Sequence, residues 1–242
     1  MIILIGTGHV FDLRNQILQV LDKTQPDIIC VELDEKRYAA LIQRKNGNTR
    51  SYSNKNVSFL YRLLGRFQDS IASQYGVQAG DEMLAGIQFA HDHQLPIAFI
   101  DVPADRLFSR MLNEMRFSEK LRLIISAFGS MFISRKQVDK EMDKIEMNLE
   151  SYLDQVSDKF PTIKRVLIDE RNEHMVQQLQ SASEDYENII AIVGDGHIPG
   201  LRELLEQQNM SVDTIRLKDL RAQESLPKNT SSASFSVEYE GM

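Results

Sequence analysis

One short pattern occurs twice in this chain, each time in the same setting. Gly6-Thr7-Gly8-His9 follows the apolar run Ile2-Ile3-Leu4-Ile5, and Gly194-Asp195-Gly196-His197 follows Ile189-Ile190-Ala191-Ile192-Val193. A short, β-branched apolar run is how a strand buried on both faces of a parallel sheet reads. After each pattern comes a segment with helical spacing. Strand, glycine turn and helix, twice over, specify an α/β fold: a largely parallel central sheet with paired GxxH motifs at two strand ends. They also deliver two imidazoles to the carboxyl ends of strands, where open α/β sheets bind ligands. Glycine at such turns permits positive φ and lets backbone or ligand come close.

The rest of the chain fits this frame. Phe11 to Leu21 carries Leu13, Ile17, Leu18 and Leu21 at helical spacing, and Pro26 stops that helix. Ile28–Glu32 is a second strand, and Asp34 is placed to cap a helix from about Glu35 to Arg44. Lys45 to Lys55 reads as a polar loop and Val57 to Tyr75 as a helix. Gly80-Asp81 opens a helix with Met83, Leu84, Ile87 and Ala90 on its apolar face, and Ile97–Asp101 is a third strand. Ala104 to Met115 is helical. From Ser118 to Leu179 the pattern is nearly continuous helix, broken near Gly129–Ser134 and at Phe160-Pro161. Ile189–Val193, a helix over Pro199 to Gln208 and a strand over Val212 to Leu217 complete the order. After Leu220 the chain is rich in Ser, Asn, Gln and Glu and has little to bury. The expected organisation is one domain over residues 1–220, with a helical insertion at about 103–180 and a disordered tail at 221–242.

Composition narrows the function classes. A net charge of −7 and a pI near 5.3 argue against a general nucleic-acid binder. No run reaches the roughly 18–20 apolar residues of an integral membrane segment; the nearest, Leu121 to Ile133, is too short and carries Arg122. That run and the charged helix Lys136–Leu153, with its narrow apolar stripe, are expected to overhang the site or to form a homodimer contact. The single cysteine, Cys30, lies inside Ile28-Ile29-Cys30-Val31 and reads as a buried thiol. With no basic, cleavable leader in the first residues, a cytoplasmic location is expected.

The chemistry-bearing side chains gather at strand ends: His9, Glu32, Asp101 and His197. Two histidines with carboxylates from separated segments suit a divalent metal ion (Zn, Co, Mn or Fe) and metal-assisted hydrolysis. The same groups suit metal-free catalysis, a histidine held by a glutamate acting as general base. Residue types alone leave both open. Other machinery is missing: there is no HExxH, no GxSxG, no Walker A loop, and Phe11 stands where a dinucleotide loop needs its third glycine. His91 and His93 are two apart on a helix and do not share a face. Glu32 with Arg37, and Glu170 with Arg171, are also candidates for structural salt bridges; a carboxylate beside an arginine stays ionised.

Six segments in order, GTGHV, PDIICVELDEKRY, GDEM, IAFIDVPADRLFSR, FPTIKRVLIDERNEHM and IIAIVGDGHIPGL, resemble the TraB/PrgY family over roughly residues 1–210. That family is similar in turn to the Tiki metalloproteases, the GumN-like proteins and, more distantly, the erythromycin esterases, which share paired GxxH motifs and a glutamate. The resemblance carries the GxxH motifs onto Gly6–His9 and Gly194–His197, and the glutamate and its following arginine onto Glu32 and Arg37. The acidic position falls on Glu82 and the Glu-Arg pair on Glu170 and Arg171. It implies a hydrolase in which His9, His197 and Glu32 hold a divalent metal ion or activate water. Arg37 and Arg171 would orient carboxylates or stabilise an oxyanion. The implied substrate is a peptide or a small amide or ester, such as a signalling peptide to be inactivated. Two alternatives are a non-catalytic protein that sequesters a peptide and a metal-independent esterase-like hydrolase. The chain departs from the pattern in two ways: several members carry C-terminal transmembrane helices, and Asp195 stands where small residues are common.

Overall fold

The apolar runs pair into one five-stranded, all-parallel sheet in the order β3-β2-β4-β1-β5. The strands are β1 (Ile2–Thr7), β2 (Ile28–Val31), β3 (Ile97–Phe99), β4 (Ile189–Gly194) and β5 (Val212–Ile215). In this computed structural model the described residues are 1–8, 12–45, 80–122, 155 and 157–224. The helices among them are α1 (Arg14–Thr24), α2 (Glu35–Lys45), α3 (Asp81–Asp92), α4 (Ala104–Glu114), α5 (Pro161–Lys164), α6 (Glu170–Asp185), α7 (Ile198–Gln207) and α8 (Leu217–Glu224). A π-helical turn, Arg165–Asp169, joins α5 to α6, and a 3-10 turn, Asp195–His197, joins β4 to α7.

Strand residues alternate between two cores, as a period of two requires. Ile3, Ile5, Ile29, Val31, Ile190 and Ile192 face α1, α3 and α8, and Tyr38, Leu41 and Ile42 of α2 pack against the same layer. Ile2, Leu4, Ile28, Cys30, Ile189, Ala191 and Val193 face α6 and α7. The chain therefore leaves β1 and β2 toward one face and β4, which lies between them, toward the other. Such a reversal opens a crevice at the carboxyl ends of the strands. Cys30 is fully buried in the second core, and burial pushes its thiol up to about 12.

Local chemistry sets the helix boundaries. Asp34 Oδ1 accepts the backbone N–H of Lys36 (2.9 Å) and Arg37 (3.1 Å), the cap expected for α2. Gly80, at φ 97°, precedes α3; a side chain there would also meet Leu41. Pro161 takes the first position of α5. Buried Glu119 binds the Thr162 N–H (2.9 Å) and hydroxyl (2.8 Å), tying that start to the preceding segment.

Four readings shift. The first helix begins at Arg14, with Asp12 Oδ1 accepting the Arg14 N–H; Phe11 lies outside the described residues. The third strand ends at Phe99, and Leu217 opens α8 instead of closing β5. α8 runs to Glu224, four residues into the expected tail. The loop at 46–55, the helix at 57–75, nearly all of the Leu121–Ile133 and Lys136–Leu153 segments with their expected contacts, and the tail beyond 224 lie outside the described residues. Among the described residues no helix is long and apolar enough to cross a membrane.

Candidate functional site

Glu32 is the first residue past β2 and keeps its alternation: with Ile28 and Cys30 on the α6/α7 face, its side chain turns to that face as well. Its own N–H continues the ladder onto Ile192 O (3.0 Å). At the end of the neighbouring strand the Gly194 N–H donates to Glu32 Oε2 (2.6 Å). A Cβ on Gly194 would lie 3.3 Å from that oxygen and 3.8 Å from His197 Cδ2, so close approach is the reason for glycine here. Its φ of −61° is ordinary, so of the two uses of glycine at such a turn, close approach is the one that applies here; among the described residues Gly80 is the glycine with positive φ.

The 3-10 turn then folds His197 back over the strand end, 4% exposed. Its Nε2 faces Glu32 Oε1 at 3.4 Å, and its Nδ1 lies 2.6 Å from Asn172 Oδ1. Arg171, next to Asn172 on α6, donates from Nη2 to Glu32 Oε1. The same guanidinium grips Asp101 through Nε–Oδ1 (2.8 Å) and Nη2–Oδ2 (2.9 Å), and its Nη1 donates to Leu167 O (3.1 Å) in the π-helical turn. Asp101, just past β3, also accepts the Val102 N–H (2.8 Å) and Arg37 Nη1 (2.9 Å). The result is a chain of contacts across three strand ends: Arg37, Asp101, Arg171, Glu32, His197, Asn172.

Burial alone would push the Glu32 carboxyl up. The His197 ring when it carries both protons, the Arg171 guanidinium and the Gly194 N–H reverse this and hold it well below the usual carboxylate range. Burial would likewise lower Arg171, but the charges of Glu32 and Asp101 and its bonds to both raise it. An ionised carboxylate thus sits buried beside an imidazole.

Of the residues expected at the site, Glu32, Arg171 and His197 come together, and Arg37 joins them through Asp101 instead of pairing with Glu32. Glu82 is 2% exposed in the first turn of α3, on the opposite layer, where Gly86 one turn on lies against Ile192. His9 lies outside the described residues. The Glu-Arg pair splits: Glu170 turns outward to Arg110 and Arg165, both at 2.6 Å. Asp195 is held by Arg216 through two bonds (2.9 and 2.8 Å) and by the Leu217 N–H (2.9 Å), and it crowds Gly6, where a Cβ would lie 2.2 Å from Asp195 Oδ1. It locks the β4 turn to the start of α8. His91 projects into solvent, 83% exposed, while the His93 ring stacks on Phe89 and its Nδ1 bonds Phe89 O (2.9 Å), apart as helical spacing requires.

Asn172 was not legible as a site residue, although one signal was present. It heads the inward stripe Asn172, Met175, Val176, Leu179 on α6, an amide at a core position that needs a partner. Among known proteins, a model of the TraB/PrgY/gumN family matches residues 1–214. The chain belongs to this family. It is 30% identical over 218 residues to an uncharacterized protein of Methanocaldococcus jannaschii, covering 85% of this chain and 53% of that one. It is similar to the TraB domain-containing proteins of Homo sapiens (23% over 244 residues) and Mus musculus (24% over 246), covering 86% of this chain and 62% of each. The chain thus spans between half and two thirds of the length of these family relatives.

Proposed function

We propose that this family member hydrolyses a peptide or small amide, with Glu32 and His197 as the reacting pair. One observation carries the reading. A buried, ionised carboxylate and an imidazole face each other at 3.4 Å at the carboxyl edge of the sheet, each oriented by its own buried partner, Arg171 and Asn172. Such fixed pairs activate water or bind a cation.

The donor spacing suits a divalent ion. Ligand distances of about 2.0–2.2 Å put two donors of a tetrahedral shell about 3.3–3.6 Å apart, and Nε2 and Oε1 are 3.4 Å apart. Among the described residues no three His, Cys, Asp or Glu side chains form a metal-holding cluster. The third donor we assign is His9. A Zn, Mn, Co or Fe ion held by His9, His197 and Glu32 would polarise the scissile carbonyl and lower the pKa of water. The chain's own residues would do the rest. Arg171 keeps Glu32 ionised and fixed. Arg37, with one side-chain nitrogen on Asp101 and the side chain 36% exposed, offers its other N–H groups to an oxyanion or substrate carboxylate.

A metal-free variant is favoured by one feature: Arg171 already donates to the Glu32 oxygen that an ion would share. His197 would then take the proton of water directly. The lone, buried thiol of Cys30 supports a cytoplasmic setting.

The test uses the full chain without a histidine tag. Bound metal is measured, and a peptide library is incubated with wild type, H197A and E32Q. Metal-dependent turnover that both substitutions abolish is expected. Turnover surviving complete chelation selects the metal-free variant. Peptide binding without turnover under any added ion makes the chain a sequestering protein and ends the hydrolase reading.

A further inference from the structure

Asn172 has so far figured only as the partner that orients the His197 ring, and Gly200 has had no role; together they also govern where the proton of that ring sits. We infer that Asn172 is a positioning residue that keeps the His197 proton on Nδ1 and leaves Nε2 bare toward Glu32. Its functional meaning rests on the Glu32–His197 reading above; its geometry does not.

The argument is one of donors and acceptors. Asn172 is 2% exposed, and its Oδ1 lies 2.6 Å from His197 Nδ1. An amide oxygen only accepts, so Nδ1 must carry the hydrogen. With the amide turned round, its NH2 would donate to a bare Nδ1 and the proton would move to Nε2. Nε2–H would then point at the Glu32 carboxylate, and a charge-assisted N–H···O bond closes to about 2.7–2.9 Å. The observed separation is 3.4 Å. The longer distance fits two acceptors facing each other across a seat for a cation.

Gly200 makes this arrangement possible. It lies in the first turn of α7, three residues past His197, and a Cβ there would sit 2.3 Å from Asn172 Nδ2 and 3.4 Å from its Cγ. Any side chain at 200 would push the amide off the ring. The last glycine of Gly194-Asp195-Gly196-His197-Ile198-Pro199-Gly200 is therefore explained by Asn172, two elements away in sequence. Partners that orient a metal-binding histidine typically change metal affinity 10–100-fold when removed.

Full-length protein labelled with 15N-histidine, in chelator and about two pH units above the ordinary imidazole range, reports the tautomer by NMR. H197A identifies the signal. The wild type is expected to show protonated Nδ1 and bare Nε2, and N172D to retain it, since a carboxylate still accepts. N172L removes the acceptor and should shift the proton to Nε2; G200A, which moves the amide without touching the ring, should give a mixture. Calorimetric titration with zinc should show about a 10–100-fold weaker affinity for N172L and near wild-type affinity for N172D. A wild-type ring protonated on Nε2, or a tautomer unchanged in both N172L and G200A, overturns the inference. If N172L does not fold, as thermal melting reports, G200A and N172D decide. If the wild type takes up no zinc, the metal reading fails, while the tautomer still decides the role of Asn172.

Discussion

Glu170 and Arg171 are chain neighbours that belong to two ion-pair networks of opposite character. Glu170 joins Arg110, Glu114 and Arg165 in a ring of contacts between 2.5 and 2.7 Å, with side chains 23–52% exposed. Arg171 joins Glu32 and Asp101, whose side chains are 6% and 2% exposed, and is itself 12% exposed. Both are built from arginines and carboxylates. What differs is the backbone. The inner network is pinned by Gly194 N–H, Val102 N–H and Leu167 O; the contacts of the outer one run between side-chain tips. Water screens the outer pairs, which therefore contribute little. The inner charges have given up their hydration, so each depends on the others.

The largest expected break in this symmetry is R171M. It fills much of the same volume but leaves Glu32 and Asp101 as buried charges without their guanidinium. A loss of about 3–5 kcal/mol is expected, the usual consequence of removing one partner of a buried pair, read by urea denaturation. A loss under about 1 kcal/mol would place the inner network in the same class as a surface pair.

The next sharpens the electrostatics. Because the folded-state pKa of Glu32 is depressed, its contribution is fully present above the ordinary carboxylate range, near about pH 4.3. It is lost as pH falls through the lower, folded value. Wild-type stability should therefore drop on acidification below about pH 4.5, and E32Q, which cannot titrate there, should lose less over the same window. Parallel acid limbs for the two proteins would show that Glu32 is not held ionised.

The contrast also explains what could be read in advance. Period-two burial and the apolar runs made the strands legible, and a Pro, an Asp cap and a Gly marked helix starts, because those are local effects. Strand order was not legible: β4 inserts between β1 and β2 through contacts 186 residues apart, such as Thr7 Oγ1 to Val193 O. For the same reason Glu32 was legible as a strand-end carboxylate while its partner was not. Arg37 is near in sequence, but Arg171 is 139 residues on and is aimed inward only because α6 packs behind β2 and β4. Asp195 lies two residues before His197 in sequence, yet the turn points it away, to Arg216.

A smaller effect is expected for Arg37, which bridges the two regimes: one nitrogen on buried Asp101, the rest of the group toward solvent. R37A should change stability by no more than about 1 kcal/mol. In a working peptide assay it should raise KM for substrates with a free carboxylate near the scissile bond more than it lowers kcat. An equal fall in kcat for amidated and free substrates would move Arg37 into the inner network's structural role.

The smallest effect belongs to the outer ring. Hydrogen bonds from Arg165 and Arg110 hold the Glu114 carboxyl below its usual range, and that depression invites the view that the pair is stabilising. Exposure argues otherwise: these are solvated side chains that keep most of their hydration when the pair opens. E114Q and R110Q should melt at the wild-type temperature at physiological salt, and 1 M salt should shift all three proteins alike. The acid limb of E114Q should follow that of wild type, unlike E32Q. A Tm drop approaching that of R171M would mean the outer ring braces the π-helical turn Arg165–Asp169, and through it the aim of Arg171. The two networks would then be one device, and the boundary between Glu170 and Arg171 would mark only where it meets solvent.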